Sequence, residues 1–319
     1  MSRLPSIRDL DESSAGWSFY LCARKELRTD RAGAEFLAIV LQDVSGQIGA
    51  KVFENVAVVD AEFEAGEFVK VEGRGNRHRE RLELLLQKVR RVNAEQDRLD
   101  GFREEECILC APRPIEEMWE ELQTRVAGVA DPWVRQLLTR LLEQHGQRLR
   151  IWPAAVTVHH AYRGGLLEHV LKLAEVGEQM ARAYAADASL LLAGAVLHDL
   201  GKLEELDYDG ATAYSTRGNL VGHITLGVLM LRDGVRQIDG FPGDLQTRIE
   251  HLILAHHGSR EHGSPVEPMS VEAFIFSSMD ALDATVNQVR RHVQDDRGDG
   301  DFTAYHPRLG RVLLKPSGR

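Results

Sequence analysis

The spacing of apolar residues changes once along this chain, from strand-like alternation to the helical repeat of ~3.6 residues, across a polar, acidic stretch at 94–113. That switch excludes a uniform fold. Before it, alternating or apolar segments run at 17–27, 34–43, 46–53, 67–73 and 81–92, with a short helical pattern at 54–63 after the third. After it, Met118, Leu122 and Val126 mark one helix, and Asp131 caps a second that opens on Pro132 and carries Leu137, Leu138, Leu141 and Leu142. Further helices are expected at 165–186, 188–200, 219–233, 244–257 and 270–294. At 319 residues the chain has room for two domains.

Five strands with a helix after the third is the order of a small OB-type Greek-key barrel. The turn Asp43-Val44-Ser45-Gly46 predicts a hairpin between the second and third strands, and Gly73, Gly75 and Asn76 predict the next turn. The expected fold is therefore multidomain, an N-terminal OB-fold-like β-barrel followed by an all-α domain. The boundaries read as 1–93 for the barrel, 94–113 for a linker, 114–294 for the helical domain and 295–319 for a C-terminal tail.

Charge and composition narrow the function. Acidic residues outnumber basic ones, 49 to 39, and the net charge of −10 argues against a protein that wraps nucleic acid indiscriminately over its whole surface. A local groove is compatible with it, because residues 70–93 carry eight Lys/Arg against three Glu. An OB barrel grips single strands with stacking aromatics and positive charge. Phe36, Phe53, Tyr20 and Phe68 lie on or beside expected strands, with Lys51 and the arginine-rich stretch 74–81 as the cations. The apolar run Leu190–Leu197 is too short to cross a bilayer, and the N-terminus lacks the pattern of a secretory signal, so a cytoplasmic protein with no membrane partner is expected. Three cysteines, Cys22, Cys107 and Cys110, fit a reducing compartment; Cys107-x-x-Cys110 alone is a weak metal or redox signal.

The histidines are placed unusually. His169 lies on a helix face, His198-Asp199 ends the next helix, His223 sits in another, His256-His257 ends a fourth before Gly258, and Asp280 lies on the fifth. Imidazole and carboxylate suit Mn, Fe, Co or Zn, and helices converging in a bundle are where such sites are built. His159, His251 and His262 have no place in this order and are expected at the surface or in packing. Asp283, one turn after Asp280, is expected as an exposed helix aspartate, with support of a ligand from behind as the alternative.

The order His169, His198-Asp199, His223, His256-His257, Asp280 resembles the HD superfamily of metal-dependent phosphohydrolases over about residues 150–290. The segments His159-His160-Ala161-Tyr162-Arg163-Gly164-Gly165-Leu166-Leu167-Glu168-His169, Leu197-His198-Asp199-Leu200-Gly201-Lys202, Gly222-His223-Ile224 and Ala255-His256-His257-Gly258 are similar to one branch, the YhaM-type 3′→5′ exoribonucleases, which join an OB fold to an HD domain. The resemblance implies two divalent ions, expected as Mn²⁺ with Mg²⁺, Co²⁺, Fe²⁺ or Zn²⁺ as substitutes, and Asp199 as their bridge. His169, His198 and Asp280 would complete one ion, and His223, His256 and His257 the other; a single ion on His169, His198, Asp199 and Asp280 is the simpler version. Two cations ~3.5–4 Å apart can generate a hydroxide from water and neutralise phosphoryl charge. Asp199 and Lys202 are the expected catalytic residues, Lys202 stabilising charge on the phosphoryl oxygens or serving only as a solvated helix-end cation. His160 and Arg163 are expected phosphate contacts, because free N–H groups at a helix start favour an anion.

The activity so implied is removal of nucleotides from the 3′ end of single-stranded RNA, with DNA as a second substrate and a homo-oligomer compatible with helix 115–127. A nucleotide or cyclic-dinucleotide phosphohydrolase is the alternative enzyme, although the residues after His256-His257 lack Gly-Tyr-Pro and Leu-Gly-Lys follows His198-Asp199. A non-enzymatic single-strand-binding protein of replication or repair is the alternative outside catalysis.

Overall fold

The computed structural model describes residues 2–30, 33–78, 81–156, 162–209, 211–296 and 298–316. The chain divides into two compact units, Met1–Pro112 with Tyr208–Ala213, and Arg113–Asp207 with Tyr214–Arg319.

In the first unit, strands β1 (Ala15–Thr29), β2 (Glu35–Asp43), β3 (Gly46–Val52), β4 (Phe68–His78) and β5 (Arg81–Arg91) enclose a core, with helix α1 (Val56–Glu62) between β3 and β4. They close in the order β1-β2-β3-β5-β4, β4 returning antiparallel to β1 and β5 running parallel to β3. This is the OB-like barrel expected from the strand order. Alternation decides what goes inside: Leu37, Ile39 and Leu41 of β2 and Ile48, Ala50 and Val52 of β3 are buried, so Phe36 and Lys51 fall on the outer face. At the β2–β3 hairpin, Asp43 accepts hydrogen bonds from the N–H groups of Ser45, at 2.7 Å, and Gly46, at 3.1 Å.

Two expectations change here. Gly73, Gly75 and Asn76 do not form a turn but lie within β4, which runs on to His78. Gly73 sits at a register shift against β5, and a Cβ at Gly75 would collide with the Asp11 carbonyl, so these glycines serve close backbone approach. The stretch 94–113 holds two short helices, α2 (Ala94–Asp97) and α3 (Glu104–Cys107). Asp97 is buried and receives both Arg90 Nη groups at 2.8 Å and the Asn93 N–H at 2.8 Å. The Arg90 guanidinium, against the opposing effect of burial, holds the Asp97 carboxyl down to about 2.

The second unit contains α4 (Ile115–Ala127), α5 (Pro132–Ile151), α6 (Gly165–Tyr184), α7 (Ala188–Leu197), α8 (Lys202–Glu205), α9 (Thr216–Val221), α10 (His223–Val235), α11 (Gly243–Ala255) and α12 (Val271–Asp295). Asp131 caps α5 by accepting from Trp133 and Val134 N–H. Helix α7 reads Ala-Ser-Leu-Leu-Leu-Ala-Gly-Ala-Val-Leu, apolar on every side, and such a helix belongs in the middle of a bundle. It packs against α5, α6, α11 and α12, and a Cβ at its Gly194 would press on the Phe276 ring of α12 at 3.0 Å. A two-stranded hairpin, β6 (Leu206–Asp209) and β7 (Ala211–Tyr214), interrupts the helical run after α8 and was not legible as helix-period sequence. Among the described residues, no helix is long and apolar enough to cross a membrane.

Candidate metal centre

Five helices bring the histidines and aspartates together. His169 comes from the middle of α6, His198 caps the C-terminus of α7 with Asp199 next to it, His223 opens α10, His256 caps α11 with His257 beside it, and Asp280 lies within α12. The last five residues of α7, Ala193–Leu197, are all buried, and the pair that follows is buried too: His198 is 0% and Asp199 3% exposed. Two clusters have ligand atoms within 4.8 Å of one another, His169 with His198 and Asp280, and His223 with His256 and His257.

Asp199 stands between them. Its Oδ2 lies 3.2 Å from His198 Nε2 and 4.0 Å from His169 Nε2, while its Oδ1 lies 3.6 Å from His223 Nε2 and 3.9 Å from His256 Nε2. One oxygen therefore faces each cluster.

The hydrogen bonds on the far side of each ring fix which nitrogen faces inward. His198 Nδ1 lies 3.1 Å from the Gly194 carbonyl and His256 Nδ1 2.7 Å from that of Ile253; carbonyls only accept, so both Nδ1 atoms carry the proton. His169 Nδ1 meets Asp283 Oδ2 at 2.7 Å, and His223 Nδ1 meets Glu205 Oε1 at 2.9 Å. The Nε2 of each of these four rings then points into the centre. His169 Nε2 and His198 Nε2 approach to 3.2 Å, with Asp280 Oδ1 3.1 Å from the former. Electron pairs so close need a positive charge among them, either a proton or a cation. Burial opposes a charged His169, but Asp280 and Asp283 outweigh it and push this imidazole up to about 9. Burial keeps His256 and His257 neutral, their basicity moved down. Asp199 Oδ1, His223 Nε2, His256 Nε2 and His257 Nδ1 are buried without a hydrogen-bond partner among the described residues. A set of inward, unpaired nitrogen and oxygen donors is what a divalent ion of the Mn, Fe, Co or Zn type requires, so these residues fit such a group.

The sequence model of the HD domain matches residues 166–285. The 3′-5′ exoribonuclease YhaM of Bacillus pumilus is 34% identical over 273 residues, 85% of each chain, and that of Bacillus subtilis is 33% identical over the same shares. The chain belongs to the YhaM family of 3′-5′ exoribonucleases. By this homology it is a hydrolase. Among solved structures, the second OB-fold domain of replication protein A from Methanococcus maripaludis is 18% identical with a TM-score of 0.23, over 28% of this chain and 94% of that one. An OB domain from Thermoplasma acidophilum is 16% identical with a TM-score of 0.24, over 29% and 89%.

For a YhaM-family chain, the surroundings of the centre carry the individual detail. Lys202 is buried rather than solvated at a helix end, with Nζ 2.7 Å from Asp199 Oδ2. Burial disfavours both charges, yet each holds the other ionised: Asp199 lies well below the usual carboxylate range and Lys202 is raised. Asp283 is not an exposed helix aspartate; three residues after Asp280 it shares that residue's face of α12 and reaches His169. Arg163 precedes the start of α6, but the N–H groups there are not free: Gly164, Gly165 and Leu166 donate to the carbonyls of Ile151, Tyr162 and Trp152. The anion-binding rationale from a bare helix start therefore does not hold. His159, His160 and Arg79 lie outside the described residues. His251 accepts the Met269 N–H at 2.9 Å, a packing role, and His262 is exposed. Glu205 escaped sequence reasoning, although its spacing of three from Lys202 was a usable signal.

On the barrel, Phe36 and the exposed Phe53 stack at 5.5 Å between ring centroids. Tyr20 belongs to the barrel core, and Phe68 packs on Phe102. Cys22 and Cys107 are buried free thiols, and Cys110 is half-buried.

Proposed function

We propose that the protein is a two-cation exonuclease that releases nucleoside monophosphates from the 3′ end of single-stranded RNA, with single-stranded DNA as a second substrate. Residues 1–93 hold the strand and residues 114–294 hydrolyse it, in the cytoplasm. His169, His198 and Asp280 would hold one divalent ion, His223, His256 and His257 the other, with Asp199 shared; Mn²⁺ is the proposed metal. When bound, such a pair supplies a nucleophile at neutral pH and charge neutralisation for in-line phosphoryl displacement.

The chain's own groups do the rest. Lys202, ionised and buried beside Asp199, is poised to meet negative charge that grows on the phosphoryl oxygens or the leaving group, and in a dry site this charge counts for far more than at the surface. Arg163 and His160 are proposed as contacts to the backbone phosphates on the charge and hydrogen-bonding capacity of their own side chains alone, without help from the helix start. The Phe36–Phe53 pair stacks bases, with Lys51 beside it on the outer face of β2–β3.

The observation that carries this reading is the division of Asp199, one oxygen toward each cluster. It is tested with 5′-labelled single-stranded RNA incubated with Mn²⁺ or with EDTA. A ladder of shortening products that needs Mn²⁺ is expected. The double variant His198→Ala/Asp199→Ala should lose the ladder while still binding RNA; normal degradation by it would end the proposal.

A further inference from the structure

Glu205 closes α8, six residues after Asp199, and its side chain is buried. A single oxygen, Oε1, accepts two hydrogen bonds from His223, one from the backbone N–H at 3.0 Å and one from ring Nδ1 at 2.9 Å. The first is a helix cap in an unusual form. His223 opens α10, its N–H lacks an intrahelical acceptor, and the preceding residue is Gly222, which has no side chain to supply one. The second has no capping purpose: it reaches past the backbone to the ring.

The backbones on both sides are jammed in place. A Cβ at Gly201 would strike the His223 carbonyl, and one at Gly218 would strike the Glu205 carbonyl. With the Glu205 and His223 backbones fixed by these close approaches, only side-chain torsions are left to the ring, and a hydrogen bond on Nδ1 is what holds them. Glu205 supplies that bond, and a carboxylate on Nδ1 leaves Nε2 as the lone-pair nitrogen beside His256 and His257.

We propose that Glu205 is the positioning residue of the second histidine cluster, setting the His223 tautomer and aiming its Nε2 at the space shared with His256 and His257. The proposal rests on the two-cation reading above. It predicts that Glu205 governs the affinity of one metal site and not of the other, whose ring His169 is oriented by Asp283 instead.

The test is Mn²⁺ titration of the metal-stripped full chain, free ion being followed by electron paramagnetic resonance. Wild type should take up two ions. His223→Ala should weaken one site about 10- to 100-fold, and Glu205→Ala should weaken the same site by a similar factor. Glu205→Gln, which keeps an accepting oxygen and the shape of the side chain, should lose only about 2- to 10-fold at that site. The double variant Glu205→Ala/His223→Ala should be no weaker than His223→Ala alone, because Glu205 acts through that ring. Equal weakening of both sites, losses that multiply in the double variant, or Glu205→Gln binding as wild type overturns the proposal. Should Glu205→Ala fail to fold, Glu205→Gln decides alone. Wild type binding one ion, with His223→Ala unchanged, would instead overturn the two-cation reading.

Discussion

The Lys202 ammonium lies 2.7 Å from the Asp199 carboxylate, and both side chains are buried three residues apart on the same short segment. Since Lys202 is the strongest charge holding Asp199 ionised against burial, its removal frees that carboxyl to titrate higher. Lys202→Met should lower kcat by about 10²–10³ with little change in KM. The acid limb of its pH–rate profile should move to higher pH. Steady-state rates on labelled RNA across pH check both.

Metal loading should release a proton. In the ion-free protein His169 stays protonated up to about pH 9, the carboxylates of Asp280 and Asp283 outweighing burial, and a cation on Nε2 must expel that proton. Mn²⁺ affinity should therefore rise with pH below about 9. Calorimetry in buffers of different ionisation enthalpy should count close to one proton per protein, and Asp283→Asn should reduce the count at neutral pH.

Phe53→Ala removes the exposed half of the Phe36–Phe53 stack. The loss expected is about 1–3 kcal/mol of RNA affinity, appearing in KM and in filter binding, with kcat on short substrates preserved.

Gly201→Ala tests how tightly the centre is framed. The added methyl meets the His223 carbonyl and the Gly227 N–H, neither of which is the end of a flexible side chain. Thermal or urea unfolding should show a loss of about 1–3 kcal/mol, with weaker Mn²⁺ binding in the variant that remains folded.

Asp97→Asn removes the carboxylate on which Arg90 closes, and should cost about 1–2 kcal/mol in urea unfolding at neutral pH, the half-exposed guanidinium being screened by solvent. The Asp97 carboxyl lies at about 2 against an ordinary 3.8, so its contribution is complete above the latter value and fades as pH falls through the former. The gap between wild type and variant should shrink accordingly in acid.

Periodicity made the barrel and most helices legible, because burial on one face leaves a repeat of two or ~3.6 in the sequence. It failed where another constraint ruled the residue. Gly73 and Gly75 resemble turn residues but serve backbone crowding inside β4, and the hairpin at 206–214 is too short to leave a period. In the centre, the order of histidines and aspartates pointed to residues that do converge. The outer ring of partners was half legible: Asp283 is marked by its spacing of one turn from Asp280, whereas Glu205 looks like an ordinary acidic helix residue until the helices are packed and it meets an imidazole.

With one carboxylate facing both clusters, the two halves of the centre depend on a single shared side chain. A drifting lineage that lost this single side chain would forfeit both pockets in the same step, whereas loss of any one imidazole leaves the opposite pocket standing. A substitution at position 199 therefore reaches both pockets at once.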